Sequence, residues 1–234
     1  MKILAIDSTA TSAAVAVCDD ERLLAEYTLN NGNTHSETLL PMVETLLGSL
    51  ELGVEDLDLF AVSEGPGSFT GVRIGVATIK GLAFGRSTPC VGVSTLEALA
   101  YNLISCGGLI CPVMNARRAQ VYTALFSSDG KTLTRLWEDR AMAISELDEA
   151  LAELGQSVRF CGDGYEMTIP ALKKTEALTV CERLRYQSGY SVAQIARNMA
   201  EQGEVLTDVT LAPTYLRLPQ AERERLEKLK KQEQ

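Results

Sequence analysis

Three stretches of the chain hold residues whose types and spacing could do chemistry. In "DSTATS" (7–12), Asp7 closes an apolar run and is followed by Ser8, Thr9, Thr11 and Ser12. A carboxylate beside hydroxyls can hold a metal ion or orient a phosphate. The same residues can equally cap a turn, because an Asp side chain accepts from the backbone two residues on. Both readings stand on these residues alone. The second stretch, "SEGPGSFTGVRIG" (63–75), lies between an apolar run and a helical pattern, where backbone amides at a helix start can receive an anion. It fails the specific tests. A Walker A loop needs G-x-x-x-x-G-K-[ST], yet Thr70 stands five residues after Gly65 and Lys80 is far away. G-x-G-x-x-G fails at the same Thr70, and no acidic residue ends the next strand, "PCVGVS". What is left is a vestigial nucleotide cleft with Asp7, Ser8, Thr9, Gly65, Gly67 and Ser68 as its candidates. The third is His35, the only histidine, which can make neither a His-rich metal site nor a triad with a second base. Glu37, two residues on, would not share its helix face. "CGDGYEM" (161–167) reads as a Gly-Asp-Gly turn, with lining of a cleft as its other reading. No set supplies a nucleophile with its base, a metal site or a complete phosphate loop. The expectation is therefore no catalytic residue, no metal site and no intrinsic cofactor.

The elements that must position these residues follow from periodicity. Strands are predicted at 2–7, 13–19 and 22–29, joined by short turns. A helix from His35 carries Leu39, Leu40, Val43, Leu46, Leu47 and Leu50 on one stripe, with Pro41 predicting a bend or a displaced start. A strand (57–63), the glycine loop, a helix (70–85), a strand (89–94) and a helix (96–105) complete the first half. The second half begins the same way, with strands at 109–116, 119–128 and 132–143, a helix at 145–155 and a strand at 158–164. Two successive β-β-β-α-β-α units predict an α/β protein of the actin-like ATPase (ribonuclease-H-like) fold, with the cleft between its halves. The predicted division is a first subdomain (1–106), a second (107–218) and a charged tail (219–234), whose residues 220–234, "QAERERLEKLKKQEQ", read as a solvated helix or frayed end. Gly71, Gly75, Gly81 and Gly85 each cost about 1 kcal/mol in a helix interior, so their spacing predicts close approach of another backbone. Gly85 is the expected helix stop. Arg73 and Lys80 are the cations of that helix, facing solvent or reaching the cleft or a partner.

With 234 residues and 46% hydrophobic content the chain can bury a full core. A net charge of −9 and a pI near 4.8 argue against nucleic-acid binding through its own field, so any basic surface should come from another subunit. The six cysteines form no CxxC and read as buried reduced thiols. "MKILAIDS" reads as a strand rather than a signal peptide, and no apolar run approaches a bilayer span. A cytoplasmic location without a membrane partner is expected.

Several stretches together resemble a known family: "ILAIDSTATSAAVAV", "SEGPGSFTGVRIGVATIKGLAF", "VGVSTLEALA", "NARRAQVY" and "APTYLR". They occur in the order expected of the TsaB (YeaZ) family, from residue 3 to about 217. That family often carries Asp where Asn115 stands and Glu where Gln120 stands. The resemblance implies a non-catalytic actin-fold subunit of the bacterial machinery that makes threonylcarbamoyladenosine on tRNA. The catalytic relative, TsaD, has an H-x-x-x-H metal pair at positions where this chain has Thr95 and Leu99, which cannot bind that metal. Implied partners are TsaD, the small ATPase TsaE and a second copy of the chain, with tRNA met only through the complex. ATP or ADP is expected only at the complex interface. The helices starting near His35 and Thr70 are the implied contact surface, with His35, Leu39, Leu40, Val43, Gly71, Arg73, Gly75 and Ile79 as contacts. An actin-fold small-molecule kinase or ATPase using Asp7 and its hydroxyl turn is the alternative. A metallopeptidase activity finds no ligand cluster to support it.

Overall fold

The computed structural model describes residues 1–217; the predicted charged tail, 219–234, lies outside the described residues. Apolar runs with short turns give three strands at once, β1 (Lys2–Asp7), β2 (Ala13–Asp19) and β3 (Arg22–Leu29). Helix α1 (His35–Ser49) follows, then β4 (Leu59–Gly65), α2 (Phe69–Ala83), β5 (Cys90–Ser94) and α3 (Thr95–Tyr101). The second half repeats the order with β6 (Gly108–Asn115), β7 (Gln120–Ser128), β8 (Leu133–Ala143), α4 (Ile144–Ala152), β9 (Val158–Cys161), the single-turn α5 (Tyr165–Thr168) and β10 (Ala177–Leu178). Helix α6 (Gly189–Glu201) is the last regular element among the described residues.

The two five-stranded sheets run β3-β2-β1-β4-β5 and β8-β7-β6-β9-β10. In each, the first three strands form an antiparallel meander and the next two join in parallel. This repeated order is the duplicated ribonuclease-H-like unit of the actin-like fold. The first sheet packs α1 and α2 on one face, around Leu4, Ile6, Leu39, Phe60, Val62 and Ile79. The second sheet holds α4 on its outer face. Helix α3 is wedged between the halves: Ala98 packs on the first sheet, while Leu96 and Leu99 pack with Ile110 and Phe126 of the second.

The other face of the first sheet is covered from the far end of the chain. Val192, Ala193, Ile195 and Ala196 of α6 lie against Ile3, Ala5, Leu59 and Val91. A clean division at residue 106 is therefore not how the core is built, because a helix from within 107–218 completes the first subdomain. The predicted helix 96–105 is shorter, ending at Tyr101 before a 3-10 turn at Ile104–Cys106. Helix α1 starts at His35 and keeps Pro41 inside it, so Pro41 does not displace the start. Gly85 follows the α2 cap residue with φ +72°, fitting its role as the stop.

Candidate functional site

Asp7 ends β1 fully buried, and its carboxylate is spoken for. Oδ1 accepts from the Thr9 amide (2.9 Å) and hydroxyl (2.7 Å), and Oδ2 accepts from the Ser63 hydroxyl (2.6 Å). Burial pushes the Asp7 carboxyl above its ordinary value, with the bonds from Ser63 and Thr9 opposing. Of the two readings of this turn, the capping one describes the geometry: Asp7 ties the β1–β2 turn to β4.

The glycines of the second stretch let α2 lie on that turn. A methyl group at Gly67 would come 2.5 Å from the Thr9 carbonyl oxygen, and one at Gly75 would come 2.6 Å from the Ser8 hydroxyl. At Gly71 it would strike the Ser8 carbonyl oxygen outright. The approach is fastened by Ser8 Oγ donating to the Gly71 carbonyl (2.9 Å) and by the Ser68 amide donating to the Thr9 carbonyl (2.7 Å). Ser68 caps α2 by accepting from the Gly71 amide. Gly65 has φ +124°, and a side chain there would strike the Thr214 carbonyl oxygen.

Turn and loop form one wall of a cleft of about 400 Å³. Thr9, Gly67 and Ser68 line it, whereas Asp7, Ser8 and Gly65 stand behind it as support. The opposite wall comes from the second half, with Asn115, Arg117, Tyr122 and Asp163. Asp163 accepts from the Asn115 amide (3.0 Å), and burial raises its carboxyl. The Gly-Asp-Gly turn thus does both things read for it, shaping a turn and lining the cleft. Thr214 to Arg217 complete the wall.

The predicted contact residues divide sharply. Leu39, Val43 and Ile79 are core side chains at 0–1% exposure, and Gly71 and Gly75 face Ser8 inside the molecule. Periodicity marked the apolar face of each helix, and that face is committed to the first sheet. These five offer no surface in this conformation. Leu40 is 46% exposed and Arg73 is exposed as well. His35 is partly buried, with Nε2 2.7 Å from the Ala10 carbonyl oxygen, joining α1 to the β1–β2 turn. Arg73 donates to the Tyr215 hydroxyl (2.7 Å) and stacks 3.9 Å over Phe69. Lys80 donates to the carbonyls of Val209 (3.2 Å) and Leu211 (2.8 Å). Both cations of α2 therefore hold the chain's own segment 209–215, which sequence reasoning did not assign. That segment has no periodicity to find, although "APTYLR" (212–217) overlaps it.

Thr95 and Leu99 sit on α3 inside the wedge. Thr95 is fully buried with its hydroxyl unpartnered, and Leu99 is 1% exposed among Leu96, Ile110 and Phe126. The Leu99 carbonyl accepts from the Cys161 thiol. The place is packed and apolar, and its residues do not fit a metal ion.

The family described as tRNA N6-adenosine threonylcarbamoyltransferase (TsaD) matches residues 22–224. The tRNA threonylcarbamoyladenosine biosynthesis protein TsaB of Bacillus subtilis (strain 168) is 32% identical, over 98% of this chain and 100% of its own. Its namesake from Escherichia coli (strain K12) is 30% identical, over 93% of this chain and 95% of its own. The solved structure of YeaZ from Pseudomonas aeruginosa shares the fold with a TM-score of 0.76 at 24% identity, covering 92% of this chain and 99% of that one. With two TsaB relatives matched over nearly their full lengths, the chain belongs to the TsaB (YeaZ) family of tRNA threonylcarbamoyladenosine biosynthesis proteins.

Proposed function

We propose that this chain is a non-catalytic subunit that pairs with TsaD, and with TsaE, to form threonylcarbamoyladenosine at position 37 of tRNAs reading ANN codons. The observation that carries this is α3. At the two positions where TsaD has metal-binding histidines, this chain has a buried threonine and a core leucine, neither able to ligate. The chain's role is then to hold and activate the catalytic relative, and the acidic surface leaves tRNA contact to the rest of the complex. ATP or ADP belongs to the interface with TsaD rather than to this chain alone, and the protein works in the cytoplasm. Among the described residues no helix is long and apolar enough to cross a membrane.

The partner surface, which also serves a homodimer, is the exposed part of α1 and α2, with Leu40 and Arg73 as its contacts and His35 beside them. Exposed leucine and arginine can be buried by a partner without disturbing the core. The kinase or ATPase alternative rests on Asp7, whose oxygens are both engaged by the chain's own donors.

Reconstitution tests the proposal. The purified chain should modify no tRNA, and adding it to TsaD and TsaE should restore modification. Leu40→Asp should weaken co-purification with TsaD about tenfold or more, as expected for a contact residue, while leaving the thermal transition within a degree or two. Modification by the lone chain, or pairing unaffected by Leu40→Asp together with Arg73→Ala, overturns it.

A further inference from the structure

Beyond α6 the chain turns back along the first half. Leu206 exchanges two backbone hydrogen bonds with Cys90 at the edge of the first sheet, and Lys80 grips the carbonyls of Val209 and Leu211. Leu211 is fully buried in the core. The Thr214 amide donates to the Glu64 carbonyl (2.8 Å), its hydroxyl donates to the Glu64 carboxylate (2.9 Å), and Tyr215 packs on Phe69. Every one of these anchors is on the first half.

Two residues later the chain reaches the second half, through one side chain. Arg217 donates from Nη1 to the Ala116 carbonyl (3.4 Å) and from Nη2 to Gln120 Oε1 (2.6 Å), with its guanidinium 5.7 Å from the Tyr122 ring centre. Ala116 and Gln120 are the two ends of the β6–β7 turn, and that turn is strained. Arg117, Arg118 and Ala119 have φ values of 62°, 53° and 55°, three consecutive left-handed residues that all carry a Cβ. Such conformations persist only where their surroundings hold them. Arg217 spans the turn like a staple, and Arg117 of that turn lines the cleft. Both acceptors are neutral, and among the described residues no carboxylate forms an ion pair with Arg217. The grip is correspondingly weaker than a charge pair would be.

We infer that residues 209–217 are a strap fixed to the first half and latched to the second by Arg217, so that release of this one side chain loosens the β6–β7 turn and opens the cleft. The cleft wall is then set by the chain's own C-terminal side, and a binding event that draws on residues around Arg217 changes the cleft without touching either sheet.

Hydrogen–deuterium exchange on the full chain tests the latch. Arg217→Ala should speed exchange of residues 114–120 about tenfold, the loss expected for a charge-assisted hydrogen bond, while residues 205–211 keep wild-type rates. Gln120→Glu, which turns the second bond into an ion pair, should slow the same turn. Unchanged exchange at 114–120 in Arg217→Ala, a rise spread equally over 205–211 and both sheets, or faster exchange in Gln120→Glu overturns the inference.

Discussion

A methyl group added at position 71 has nowhere to go, because the Ser8 carbonyl oxygen already occupies its place, while one added at position 81 meets open space. The two glycines sit on the same helix, so they separate packing from propensity. Gly71→Ala should destabilise by about 1–3 kcal/mol through overpacking against the β1–β2 turn. Gly81→Ala should stabilise by about 0.4–1 kcal/mol, because it restricts the unfolded chain at a helix-compatible position. Chemical denaturation of both variants reads the difference, and equal effects would remove the packing account. The close approach read from the glycine spacing holds at Gly71 and Gly75, but not at Gly81 and Gly85, which face open space. Its partner was not legible in the sequence, since nothing in the spacing tells a turn of the same chain from a second molecule. Arg73 and Lys80 carry the same lesson: their charge was plain, but the carbonyls and tyrosine hydroxyl they serve lie more than a hundred residues away.

At the scale of elements, the strands of both meanders and helices α1 and α2 follow from alternation and leucine stripes, and the paired sheets follow from their order. Helix α6 escaped because its buried face is built from small and polar side chains, Val192, Ala193, Ile195 and Ala196 with Ser191 and Gln194, so its amphipathic pattern is regular but few large apolar residues mark it. Strand β10 is two residues long, and the strap, 209–217, has no period at all. Yet α6 is what completes the first half. Without it, Ile3, Ala5, Leu59, Ala61, Val91 and Val93 would face water. Ile3, Leu59, Val91 and Val93 each lose about 1.5–3 kcal/mol of burial when fully exposed, together comparable with the whole stability of a domain. A fragment of residues 1–106 should therefore bind a hydrophobic dye and show no cooperative thermal transition. Co-expression with a fragment carrying residues 107–217 should restore both properties. A 1–106 fragment that melts cooperatively by itself would show the first half to be self-sufficient.

Over the whole molecule the charge is strongly negative, and three carboxylates are nevertheless drawn in around the junction of turn, loop and cleft. Asp7, Glu64 and Asp163 are each raised above their ordinary values by burial, against hydrogen bonds that partly oppose it. For such a group the folded state holds its proton more tightly than the unfolded chain does. Its contribution is most favourable below the unfolded value, 3.8 for Asp7, and is lost as pH rises through the raised folded value. Asp148 works in the opposite sense. Amides of Lys173, Lys174 and Thr175 hold its carboxyl below the ordinary value, so its contribution is present at neutral pH and lost on acidification. The two kinds of site pull the pH profile in opposite directions, and one substitution separates them. Asp7→Asn keeps an oxygen to accept from Thr9 and an atom beside Ser63, but it carries no charge to bury. At acid pH, where Asp7 is protonated, variant and wild type should differ by about 1 kcal/mol or less, the scale of one adjusted hydrogen bond. As pH rises through the folded Asp7 value, the stability of Asp7→Asn relative to wild type should climb and then level off. Urea midpoints measured from acid to neutral pH check the sign. A variant that loses ground to wild type as pH rises would mean that the ionised carboxylate, not the neutral one, is what the turn is built to hold.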